Sequence, residues 1–121
     1  MDNNYINVDL KKLIEWTDNA GCICSDMITK DGYKVGYMYR EEPSCDVPDS
    51  GWRFLAGIEN PEYMNDSKNH HVFHLNTICN YDSDIIPFLD APVGSSFIRI
   101  DSNTFVEDDR TLEIFSCKQD R

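Results

Sequence analysis

The stretch from Lys30 to Arg40 restricts the fold of this chain more than any other. Lys30-Asp31-Gly32 supplies turn chemistry. After it Tyr33, Val35, Tyr37 and Tyr39 fall on one parity, and Lys34, Gly36, Met38 and Arg40 on the other. Successive side chains of a strand point to opposite faces, so this alternation predicts a strand over 33–40. A β-compatible run at 22–28 precedes the turn and completes an expected hairpin. Further short strands are expected at 52–56, 72–78, 97–100 and 104–106, the last two joined around Asp101-Ser102-Asn103, with an edge strand at 112–115.

Helical signals are fewer and shorter. Val8, Leu10, Leu13, Ile14 and Trp16 fall on one face of an expected helix over 7–19, stopped by Asn19 and Gly21. Asn60-Pro61-Glu62 opens a helical turn, because proline suits the first helical position. Asp82, Ser83 and Asp84 cap a short helix over 85–89 that contains Pro87. Residues 41–50, with Pro43, Pro48 and Asp49, read as a loop. Short strands outnumber helices, which predicts an α+β fold: a mainly antiparallel sheet with a few short helices. At 121 residues the chain is read as one domain enclosing one core.

Charge narrows the classes of partner. Twenty-two Asp and Glu against eleven Lys and Arg give a net charge of -11. Such a field repels nucleic-acid phosphates and anionic membrane surfaces, and it attracts basic macromolecules. Neither nucleic acid nor membrane is therefore an expected partner. No window approaches the roughly 18 apolar residues of a membrane helix, and residues 1–12 lack the apolar core of a signal peptide. Five cysteines, Cys22, Cys24, Cys45, Cys79 and Cys117, are odd in number and irregularly spaced. Reduced thiols and a cytoplasmic setting are the expectation.

Motifs for catalysis are missing. His70, His71 and His74 with Cys79 invite a zinc reading. On a strand, however, His71 and His74 face opposite ways, and His70 and His74 lie too far apart to share an ion. Cys22-x-Cys24 is not a redox spacing, and a His74–Cys79 dyad has nothing to activate its thiol. Glu41-Glu42 and Asp108-Asp109 are neighbours in sequence only. The sequence contains no phosphate-binding glycine loop, calcium loop or nucleophile elbow. The expectation is a protein that is not an enzyme and holds no metal or cofactor.

Four blocks of the sequence together resemble a known family. The first is Ser25-Asp26, Ile28-Thr29-Lys30 and Gly32 through Pro43, and the second is Asp49-Ser50-Gly51-Trp52-Arg53-Phe54 with Ala56-Gly57, followed by Glu62-Tyr63-Met64. The third is Leu75-Asn76-Thr77-Ile78 with Asn80-Tyr81-Asp82 and Asp84-Ile85-Ile86-Pro87, and the fourth is Ala91-Pro92-Val93-Gly94-Ser95. Together, over about residues 22–105, they resemble the immunity protein 33 family of bacteria. The resemblance implies a protein that binds and neutralises a cognate toxin; an acidic domain would suit a basic nuclease. On that reading the expected contacts are Glu41, Glu42, Asp46 and Asp49, with Trp52 or Tyr63 as an aromatic anchor. The rival readings are a stand-alone bacterial binding module and an enzyme or metal protein using His70, His71, His74 or Cys79.

Overall fold

A computed structural model of the chain describes residues 5–16, 19–43, 48–102 and 104–107. Six strands form one sheet: β1 (Gly21–Ser25), β2 (Tyr37–Arg40), β3 (Asp49–Leu55), β4 (His70–His74), β5 (Ser96–Asp101) and β6 (Thr104–Glu107). Their spatial order is β4-β1-β3-β2-β5-β6, antiparallel throughout except for the parallel pair β1 and β3. Three short α-helices, α1 (Asp26–Thr29), α2 (Pro61–Asn65) and α3 (Leu75–Tyr81), and a 3₁₀ helix (Ser83–Phe88) complete an α+β fold. No described helix is long and apolar enough to cross a membrane.

The core lies between one face of the sheet and the segment running from α3 through the 3₁₀ helix. Cys22, Cys24, Met38, Trp52 and Phe54 from the strands meet Leu75, Ile78, Cys79, Ile85 and Leu89. Trp52 stacks on Phe54 and Phe97, with ring centroids 6.0 and 6.4 Å apart, and donates its indole N–H to the Leu89 carbonyl at 3.0 Å. Asp82 is fully buried and organises this layer. It caps the 3₁₀ helix through Asp84 N–H, accepts the Val35 N–H at 2.9 Å and holds Arg99 at 2.7 Å.

Several sequence expectations are corrected here. Residues 22–28 and 33–40 do not form a hairpin, because β3 lies between β1 and β2. β1 ends at Ser25, whose hydroxyl accepts the Met27 N–H and so starts α1. Strand β2 begins only at Tyr37. The expected strand over 72–78 is split: His70–His74 is strand, and the exposed His74 ring then caps α3 by accepting the Asn76 N–H at 3.0 Å. Leu75, Ile78 and Cys79 are buried at the i, i+3, i+4 spacing of one helix face. Strand β3 starts at Asp49, inside the expected loop. The expected helix over 7–19 is absent: described residues 5–16 carry no regular structure, and Asn19 has a left-handed φ of 53°. The expected edge strand at 112–115 lies outside the described residues. The hairpin of β5 and β6, the turn opened by Asn60-Pro61 and the Asp82 cap form as read.

Candidate partner-binding face

The sheet's second face is read off the strand register. Tyr37 pairs with Leu55 on one side and Ile98 on the other, and Ile98 pairs with Val106. Arg53 pairs with Tyr39 and with Ile23. Paired residues share a face, so Leu55, Tyr37, Ile98, Val106, Arg53, Tyr39 and Ile23 all turn away from the core of Trp52, Phe54 and Met38.

One half of this face is closed by an ion cluster. Arg53 makes a two-point bond to Asp49 at 2.9 Å for each nitrogen, and its Nε reaches Glu41 at 2.6 Å. Burial works against the Arg53 charge, but the hydrogen bonds to Asp49 and Glu41 outweigh it and hold the guanidinium above its ordinary pKa. Beside it, burial pushes the Tyr39 hydroxyl up to about 12, with the Glu41 charge adding to the effect.

The local sequence builds this cluster. β1 and β3 slip register between Gly21 and Ile23, so β3 carries a bulge at Ser50-Gly51. Gly51 has a φ of 92°, and a Cβ there would stand 2.2 Å from the Glu41 carbonyl oxygen. Only glycine fits. Groups loosened by the bulge are satisfied locally: Asp49 accepts the Gly51 N–H, and Ser50 accepts the Trp52 N–H while donating to the Gly21 carbonyl. Asp49-Ser50-Gly51-Trp52-Arg53-Phe54 is thus a bulge, an ion clamp and two core aromatics in one word.

The other half of the face is open among the described residues. A groove of about 600 Å³ runs over Tyr37, Leu55 and Ile98, walled by Tyr33, Met64 and Glu59. Large apolar side chains stay exposed along it: Tyr33 and Met64 in its walls, Ile58 beside them, and Val106 next to Ile98 across the hairpin. Exposed apolar residues gathered around one groove mark an interaction surface better than scattered ones do. Exposed carboxylates Glu42, Glu62, Asp31, Asp66, Asp101 and Glu107 belong to the loops, helix and strand ends of the same fold.

The predicted contact residues are dispersed. Glu41 and Asp49 converge, but on the internal Arg53. Glu42 is exposed, and Asp46 lies outside the described residues. Trp52 is fully buried and faces the core, so it presents nothing to a partner in this conformation. Tyr63 is half-buried on α2, edge-on to His70 with centroids 5.7 Å apart. His71 instead meets Asp26, Nδ1 to Oδ1, at 2.8 Å. Among the described residues no three His, Cys, Asp or Glu side chains converge as a metal site would need. Cys22, Cys24 and Cys79 are free, buried thiols; burial pushes Cys22 and Cys24 well up and Cys79 to about 11, so none is a ready nucleophile. Sequence reasoning missed Arg53 and the groove. The signal for Arg53 was its position between two aromatics that share the parity opposite to its own.

Comparison with known proteins places this architecture. The profile of the Immunity protein Imm33 domain matches residues 22–109. The chain belongs to the Imm33 family. The match takes in the sheet from Cys22 of β1 to the end of β6, the Arg53 clamp and all the walls of the groove. No curated protein and no solved structure shows a significant match. Membership of an immunity family implies, in general terms, a toxin as partner.

Proposed function

We propose that this Imm33 domain neutralises its toxin by stoichiometric binding, not by catalysis, and that the open half of the second sheet face is the contact surface. The observation that carries this reading is the groove over Tyr37, Leu55 and Ile98, with Tyr33, Ile58 and Met64 exposed around it. Interface hot spots are aromatic and large apolar groups in a pocket ringed by polar residues. Tyr33 and Met64 are better placed for that role than Trp52, whose ring is core.

Charge sets the class of toxin. With the net charge of -11, a basic enzyme such as a nuclease is the complementary partner. Glu41 and Asp49 are fixed on Arg53, so steering falls to exposed carboxylates such as Glu42 and Glu62. The test screens the products of the neighbouring genes for a toxin that binds. The association rate of that toxin should fall as salt rises, and Glu42→Gln with Glu62→Gln should slow association more than it speeds dissociation. A rate indifferent to salt would remove the electrostatic part of the proposal. Failure to bind any neighbouring gene product, or to protect cells expressing it, would remove the toxin reading and leave a stand-alone binding module.

A further inference from the structure

Strand β4 ends the sheet on one side, and among the described residues only β1 pairs with it. The register decides which of its main-chain groups are left over. The Gly21 N–H goes to the Pro48 carbonyl and the Gly21 carbonyl accepts the Ser50 hydroxyl, both on the β3 side. Successive residues of a strand send their main-chain groups to alternate sides, so Cys22 and Cys24 turn theirs to β4. Phe73 and His71 answer them, and the Leu75 N–H continues along that side to the Ala20 carbonyl. His70, Val72 and His74 therefore point their N–H and C=O groups off the sheet. The His70 N–H is committed to the Ser67 carbonyl, and the His74 carbonyl, as helix cap, to α3. The His70 carbonyl, both groups of Val72 and the His74 N–H stay free among the described residues.

This edge lacks the usual defences. Charged side chains, prolines and bulges blunt the edge strands of natural sheets. β4 reads His-His-Val-Phe-His and keeps an unbroken register with β1. Val72 is 70% exposed, more than any other large apolar side chain among the described residues. Tyr5 covers the rings of His71 and Phe73, with centroids 6.0 and 5.5 Å away, but these lie on the core side and Val72 lies on the other face. In a chain of net charge -11, the run from Asn69 to Tyr81 carries no Asp, Glu, Lys or Arg.

We propose that β4 pairs edge to edge with β4 of a second copy of this chain, antiparallel about a two-fold axis at Val72. The pattern of free groups selects a copy. Val72 N–H and C=O meet the same groups of the second Val72. The His74 N–H meets the free His70 carbonyl of the second copy, and the reverse bond forms by symmetry. The committed groups, His70 N–H and His74 C=O, fall opposite one another and need no partner. A foreign strand with all its groups free would leave a donor and an acceptor unanswered there. Charge agrees, because two acidic copies approach most easily where carboxylates are absent. Asp26, a carboxylate that touches β4, is itself shared between His71 and Lys30. The proposal does not rest on the toxin reading, since β4 contributes no residue to the groove over Tyr37, Leu55 and Ile98.

The test uses the full chain. Sedimentation equilibrium up to about 1 mM should show a reversible dimer, tightened by added salt because screening relieves repulsion between like-charged copies. Val72→Pro removes an N–H that faces away from β1, where edge strands admit proline. It should weaken the dimer at least tenfold with circular dichroism unchanged. Val72→Lys sets like charges face to face on the axis and should do the same, and it decides the matter if the proline variant does not fold. Tyr33→Ala with Met64→Asp should leave the dimer intact. In dilute solution the Val72 amide should exchange at least tenfold faster than the Phe73 amide, and at high concentration it should slow at least fivefold. A chain that stays monomeric at about 1 mM would overturn the proposal. So would a dimer that salt dissociates, one kept in Val72→Lys, or one lost in the groove variant. A Val72 amide already protected in dilute solution would mean that another part of the chain covers the edge, and would overturn it too.

Discussion

Arg53 lies between Trp52 and Phe54 in sequence and faces away from both, and that single alternation separates the core side of the sheet from its second face. Its clamp is nearly dry: the Arg53 and Asp49 side chains are 9% and 7% exposed. Replacing Arg53 by alanine removes the cation from the buried Asp49 carboxylate, which should cost about 3–5 kcal/mol of unfolding free energy by urea titration. Glu41 is a third exposed, so Glu41→Gln should cost about 1 kcal/mol or less. Equal effects would mean that the two carboxylates share the cation differently from this geometry. A second expectation concerns alkali. Burial raises Cys79 from 9.0 to about 11 and Tyr39 from 10.0 to about 12 in the folded chain. Groups raised in this way favour the folded state below their unfolded pKa and lose that contribution as pH climbs through the folded value. The urea midpoint should hold from pH 7 to about 8.5 and fall above pH 9, less steeply in Cys79→Ala; a midpoint rising through that range would contradict these burials. Trp52 shows where residue-level reading stops. Its type suits both a hot spot and a core, and only the register with Arg40 puts it inside.

Elements were legible where a local rule had no competitor. Asn60-Pro61 starts α2, Asp82 caps the 3₁₀ helix, and β5 and β6 pair across their tight turn, all from short-range chemistry. The expected strand over 72–78 failed because His74 supplies a ring nitrogen as a cap, a role that sequence rules assign to Ser, Thr, Asp or Asn. Leu75, Ile78 and Cys79 then follow helical spacing that an alternating reading also accommodates. Residues 7–19 failed for a different reason. Their apolar pattern is helical, but α3 offers their main chain the hydrogen bonds a helix would have made internally. The parallel pairing of β1 with β3 is a long-range fact that no local signal carries. At this scale the bulge in β3 is the element most exposed to test. Gly51→Ala forces a left-handed alanine against the Glu41 carbonyl and should cost about 1–3 kcal/mol or more, read as a lowered thermal midpoint. A neutral substitution there would mean that β3 runs past β1 without the bulge.

The whole molecule builds its two sheet faces differently. One face is sealed by α3 and the 3₁₀ helix over Trp52, Phe54 and Met38. The other carries a closed ion clamp at one end and an open apolar groove at the other. The fold class and the Imm33 resemblance were readable from sequence blocks, whereas the groove was not, because Tyr33, Met64 and Ile98 meet only through the sheet order. One affinity measurement reaches this division. A toxin that the wild type binds, sought among the products of the neighbouring genes, is titrated against the wild type and against Tyr33→Ala combined with Met64→Asp. Both positions are exposed, so thermal midpoints should stay within a few degrees. Binding through the groove predicts at least a hundredfold weaker affinity for the double variant, mostly in the dissociation rate. An unchanged affinity in a folded double variant would contradict the assignment of this face to the toxin.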